Sequence, residues 1–132
     1  MNDPGDRGAA STQLVVLTPV LMLLTLLSVQ CALAWHAQHI AQAAASRALA
    51  DTRAAQGTKT TGAATARATL DAAGGRVLHD PTVRVHRTPT SASVDIHGNV
   101  LPVVPGLDLT VRGHAEGPVE RFLTPGDEAT DG

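Results

Sequence analysis

The chain has 132 residues, a formal net charge of −2, a single Cys and no Tyr. A near-neutral chain without a basic patch offers nothing to nucleic acid, and a lone Cys allows no intrachain disulfide. An aromatic content of 2% leaves a thin core of Val, Leu, Ile and Ala, too small for a large enzyme pocket.

Met1 to Gly8 reads MNDPGDRG, a polar stub in which Pro4, Gly5 and Gly8 argue against helix. From Ala9 to Ser46 there is no Asp, Glu, Lys or Arg. The centre, Leu14 to Trp35, is LVVLTPVLMLLTLLSVQCALAW. As a helix it rises roughly 33 Å at about 1.5 Å per residue, enough to cross the hydrocarbon of a bilayer. Pro19 lies early in this run, where it removes one helical hydrogen bond. Thr18, Thr25 and Ser28 are tolerated because a helical hydroxyl can donate to a carbonyl one turn back. Trp35 stands where an interfacial aromatic belongs. Cys31 reads as a small apolar residue of the run: Val29 and Gln30 ahead of it lack the small residue that a lipid-attachment site requires.

Arg7 and the terminal amine favour a cytoplasmic N-terminus, whereas Arg47, Arg53 and Lys59 weigh the other way, so charge counting leaves the topology open. The run is longer than the 7–15 apolar residues of a secretory signal, and a retained anchor fits it best. Cleavage after small-x-small sequences at Ala32-Leu33-Ala34 or Ala41-Gln42-Ala43 is the competing reading.

His36 to Ala55 continues without Gly or Pro and is rich in Ala, which predicts that the helix runs on as a stalk. Ala37, Ala41 and Ala45 recur every four residues, a small face that lets another helix approach closely. Gly57 ends this helix, and Thr58 to Gly62 reads as an exposed connection. A second helix is predicted from Ala63 to Ala73, stopped by Gly74-Gly75.

The period then changes to two. Thr82 to Arg87, Ala92 to His97 and Leu107 to Arg112 alternate, which predicts a three-stranded antiparallel sheet with Ala92, Val94 and Ile96 on its apolar face. Thr88 to Ser91 is the turn between the first two strands, and Pro102 and Pro105 forbid a central strand between the second and third. One helix must cover the apolar face. Phe122 is expected to tuck back onto the sheet, and Thr124 to Gly132 is an acidic tail expected to lack structure. The expected class is therefore α+β. Its divisions are a leader over 1–8, a membrane helix and stalk over 9–56, a small extracytoplasmic domain over 57–123 and a tail over 124–132.

Residues that carry chemistry form no constellation. His36 and His39 lie three apart on a helix but have no acidic pair to complete a metal site. His86 and His97, on paired runs, could face each other, with solvent-exposed strand positions as the default. There is no nucleophile elbow and no phosphate loop. The reading is of a protein that is not an enzyme, with no catalytic residue, no metal and no cofactor.

The junction Arg7-Gly8-Ala9-Ala10-Ser11-Thr12-Gln13-Leu14 and the stretch RGAASTQLVVLTPVLMLL, with Pro19 after the first apolar turns, resemble the TadE-like family of pilus-assembly proteins, the pseudopilins of tight-adherence type IV pili. The resemblance covers the first 55 residues. It implies cleavage by a prepilin peptidase between Gly8 and Ala9, a single-pass protein in the cell membrane, and an extracytoplasmic C-terminal domain. The implied partners are membrane lipid and other pilins or assembly proteins met through the N-terminal helix, in a role as minor pilin or assembly factor. The fifth residue after the cut is commonly Glu in the family, where it pairs with a neighbour's N-terminal amine. Here it is Gln13, which can hydrogen-bond in a membrane at lower desolvation cost but supplies no charge. Two alternatives stand beside this reading: an envelope binding module unrelated to pili, and a small secreted protein with a removed signal.

Overall fold

The computed structural model describes residues 5–121. They form α1 (Gly5–Arg53), α2 (Lys59–Gly74), β1 (Leu78–Arg87), β2 (Ser91–Val100) and β3 (Thr110–Pro118). The strands make an antiparallel meander in the order β1-β2-β3. The α+β class read from the change of period is the class observed. Phe122 and the tail from Thr124 to Gly132 lie outside the described residues, as do Met1 to Pro4.

α1 begins inside the stub, at Gly5, so the glycines there do not prevent helix. α2 begins four residues earlier than the apolar pattern predicts. Thr58 has extended backbone (φ −130°, ψ 163°) and its hydroxyl accepts from the Thr61 amide at 3.0 Å, an N-cap that starts the helix at Lys59. Gly62 therefore belongs to α2 and is buried, not part of an exposed connection. It lies against Thr52 Oγ1 and the Ala48 carbonyl of α1. The hydroxyl of Thr65 adds a hydrogen bond to the Asp51 carboxylate across the same helix pair.

In β2, Ala92, Val94, Ile96, Gly98 and Val100 are buried and the residues between them face out. Their partners Val83 and Val85 on β1, and Val111, Gly113 and Ala115 on β3, share the inner face. Thr88 closes the β1–β2 turn: its amide donates to the Ser91 carbonyl at 2.8 Å and its hydroxyl accepts from the Ser91 amide at 2.9 Å. Near its start β1 carries a register shift between His79 and Thr82, with Asp80 at φ 48°. Asp tolerates that left-handed conformation better than most residues.

The third strand departs from expectation. It runs over Thr110–Pro118, not Leu107 to Arg112, because the inner face there is built from Val111, Gly113, Ala115 and Gly117. Small residues give no apolar period, yet they are what the space under α1 admits. Leu107 and Leu109 sit before the strand, half-buried, and Leu109 uses its carbonyl to accept from the Val100 amide at 2.8 Å. His86 and His97 do not face each other: His86 pairs with Ser93, and His97 with Thr82 and Arg112.

The core of the head is shared among α1, the sheet and α2, which adds Ala66 and Leu70. Ala37, Ala41, Ala44, Ala45 and Ala48 of α1 are all 0% exposed, as are Val94 and Ile96. The stalk is thus not free-standing, and the division between 9–56 and 57–123 does not separate two bodies. The helix passes so close to β3 that a Cβ on Gly113 would run into the Ala41 carbonyl. Burial contributes about 1.5–3 kcal/mol of transfer free energy for each of Val94 and Ile96, and only about 0.8 kcal/mol for each alanine methyl.

On the outer face of the sheet, Asp95 Oδ1 lies 2.9 Å from both Arg112 Nη2 and His114 Nδ1. The Arg112 hydrogen bond, then the His114 contact, hold the Asp95 carboxyl below its ordinary range, against the opposing effect of burial.

Two outcomes are expected. Gly113→Val forces side chain against helix backbone and lowers stability by at least about 3 kcal/mol, read as loss of protease resistance of the head in detergent. For Asp95, a native pKa below the unfolded value, about 3.9, adds stability above that value and loses it as pH falls through the native one. The thermal midpoint of the wild type should therefore fall more steeply than that of Asp95→Asn below about pH 4. The difference is small because Arg112 is 61% exposed.

Candidate membrane-anchoring site

Two halves of α1 behave differently. From Leu14 to Val29 the helix is exposed, apart from the half-buried Leu26, and its large apolar side chains touch nothing that would shield them from water. Leu14, Val15, Val16, Met22 and Leu23 are each more than half exposed. A soluble protein rarely leaves an apolar surface of this extent uncovered. Thr18, Thr25 and Ser28 donate to the carbonyls of Leu14, Leu21 and Leu24 at 2.7–2.9 Å, so their hydroxyls need no water. This is a helix long and apolar enough to be a candidate membrane span.

The exposed half ends at Gln30, the first buried residue of α1 among those described. Gln30 is 0% exposed. Its Oε1 accepts from the amides of Val103 at 2.6 Å and Val104 at 3.3 Å, and its Nε2 donates to the Leu101 carbonyl at 3.3 Å. One turn and a half further on, Trp35 is 72% exposed, and its ring meets His39 edge-on with centroids 5.1 Å apart. The apolar run thus divides at Gln30, before the Leu14 to Trp35 stretch is finished.

Gln38 and Gln42, one turn apart, line the open edge of β3. The Gln38 side chain donates to the Arg112 carbonyl at 2.6 Å and accepts from its amide at 3.2 Å. Gln42 repeats the pattern on His114 at 2.9 and 3.3 Å. Each carboxamide takes the place of a peptide group on a neighbouring strand and blunts an edge that would otherwise pair with another chain. None of these three glutamines stood out in the sequence. The available signal was amides recurring inside a run otherwise made of Ala and apolar residues.

The residues singled out from the sequence are placed as follows. Gly8 is helical and exposed, and an added Cβ there would meet nothing within 4 Å. Ala9 follows it in the same helix, its side chain lying outside the described residues. Gln13 is exposed and shares a face of α1 with Gly8, Leu17 and Val20. Ala37, Ala41 and Ala45 are covered by the chain's own head, a correction to the reading of that face as a seat for another helix. Cys31 is exposed. His36 and His39 gather no further ligands: among the described residues no three of His, Cys, Asp or Glu converge.

A long apolar helix that is bare over its first half and carries a small α+β head on its second defines a candidate single-span membrane protein. The family model described as "TadE-like protein" matches residues 8–49, so the similarity runs along α1 from the Gly8 junction to Leu49. α2 and the sheet lie beyond the matched residues. No curated protein and no solved structure matches the chain.

Replacing Gln30 by Leu leaves the amides of Val103 and Val104 without their acceptor, at a cost of about 1–3 kcal/mol. Hydrogen exchange should accelerate at those two amides while the Ile96 amide stays protected.

Proposed function

We propose that this chain is a membrane-anchored, non-enzymatic component of a tight-adherence type IV pilus system, acting as a minor pilin or assembly factor. The observation that carries the reading is the family match over residues 8–49, coinciding with a helix whose apolar surface is bare from Leu14 to Val29. A prepilin peptidase cuts between Gly8 and Ala9, the new N-terminus stays at the cytoplasmic face, and the head projects from the opposite face. After cleavage, residues 9 to 29 rise about 31 Å at about 1.5 Å per residue, matching a bilayer's hydrocarbon. Gln13 then lies just inside the membrane as a neutral hydrogen-bonding group.

Gly8 bears on processing in a way that folding does not explain. A Cβ added at Gly8 would meet nothing within 4 Å, so the position has room for Ala. The fold has no need of glycine here, whereas a peptidase that reads the residue before the cut does.

Amino-terminal sequencing of membrane-extracted protein from cells with the peptidase should give a chain beginning at Ala9. Gly8→Val should accumulate uncut while its head keeps wild-type protease resistance. An intact Met1 in the wild type counts against cleavage. Leu24→Arg places a charge near mid-bilayer at about 2.5–3.5 kcal/mol on insertion scales, and should move the protein out of the alkali-resistant membrane fraction. Retention as in wild type would refute the anchor.

A further inference from the structure

We propose that the loop from Leu101 to Leu107, between β2 and β3, is a second membrane contact: an apolar foot that inserts into the lipid surface beside α1. The proposal rests on the reading that α1 spans the bilayer.

Its position is set by Gln30. Three hydrogen bonds tie the loop backbone to this one side chain, so the loop lies level with the point where the bare half of α1 ends. Trp35 is five residues further along the helix, a rise of about 7.5 Å. With the indole at the headgroup level, where such rings settle, the loop sits on the membrane side of it. That depth matches the roughly 5–10 Å to which interfacial apolar groups are buried.

Its chemistry fits lipid. The segment LPVVPGL has no charged side chain and no hydroxyl or amide side chain. Leu101, Pro102, Pro105 and Gly106 are exposed, and Leu101 is 38% so despite being a large aliphatic residue at the base of the head. A loop entering a medium with little water must have its backbone donors satisfied. Here the Leu101 amide donates to the Val77 carbonyl at 2.9 Å, and the Leu107 amide to the Val104 carbonyl at 3.2 Å. Val103 and Val104 donate to Gln30. Pro102 and Pro105 have no N–H to satisfy, which leaves the exposed Gly106 amide as the one loop donor without a protein acceptor, open to a headgroup oxygen. Asp108 comes directly after the apolar segment and is exposed. The charge thus begins where the chain turns back toward β3.

The foot changes what the membrane does for the head. A single helix fixes the height of a domain but lets it tilt in any direction. Two contacts, helix and foot, restrict that tilt and hold the base of the head against the lipid.

The test uses full-length protein carrying Cys31→Ser, reconstituted into vesicles of equal parts phosphatidylcholine and phosphatidylglycerol. A polarity-sensitive fluorophore is placed in turn on Leu101→Cys, Pro102→Cys, Leu24→Cys and Ser93→Cys. Lipids carrying a nitroxide on the upper acyl chain should quench emission from positions 101 and 102, with a shift to the blue, and leave position 93 on the outer sheet face unquenched. Position 24 should be quenched by a nitroxide deep in the acyl chain. Quenching at 24 with water-like emission at both 101 and 102 overturns the foot and leaves the anchor standing. Absence of quenching at 24 overturns the anchor reading and the foot with it. Equal quenching at 93, 101 and 102 overturns the foot as well, since the head would then lie on the membrane without preference.

Discussion

The close seating of α1 against the sheet is the constraint on which everything else depends. It requires a helix face with no side chain larger than a methyl at the crossing, which Ala37, Ala41, Ala44, Ala45 and Ala48 supply. It also requires a strand with no side chain at all where the two backbones meet, which is Gly113. At that distance the glutamine carboxamides of α1 reach the main chain of β3, and side chain and backbone bond as strand to strand. A Leu-faced helix would bury more area and sit too far away to close the edge. The fold exchanges hydrophobic bulk for proximity, then uses that proximity for polar contacts that fix register.

One continuous helix thereby presents two kinds of surface. Up to Val29 its surface is suited to lipid, with the hydroxyls of Thr12, Thr18, Thr25 and Ser28 turned back on the helix's own backbone. From Gln30 onward the same helix is the central element of a water-facing domain. The transition is made by a buried amide, not by a break in the helix. Gln30 is costly to bury unless each of its polar atoms is met, and the backbone of the β2–β3 loop meets them. The head and the span are consequently one mechanical piece along α1.

The elements were largely legible from sequence because their periods are strong: a long run without charge, two glycines at Gly74-Gly75, then alternation in β1 and β2. What failed has a common cause. Periodicity counts large apolar residues, and this protein packs with small ones. Gly113 and Ala115 were invisible as inner-face positions, so the third strand was drawn toward Leu107 and Leu109. The repeat at Ala37, Ala41 and Ala45 marks a small face, but sequence spacing cannot say whether a helix or a sheet packs on it. Thr58 reads as linker in the sequence, although a Thr directly ahead of a helix is also a cap. The candidate membrane segment was the most legible part, since it depends on composition over many residues. Its boundary at Gln30 was not, because that depends on a partner more than seventy residues away in the chain.

The head occupies one side of α1 and leaves the other bare, and this has a geometric consequence. Trp35, His36, His39, Ala43, Ser46, Arg47 and Ala50 all lie on the uncovered side. The head casts a steric shadow over the rest of the helix circumference above the membrane, while below Gln30 no such shadow falls. Neighbouring helices can therefore surround this one before Gln30 but can continue alongside it beyond Gln30 only through a single sector. Any assembly that includes this chain inherits that polarity: crowded contact is open along the bare half of α1, and directional contact alone along the half that carries the head.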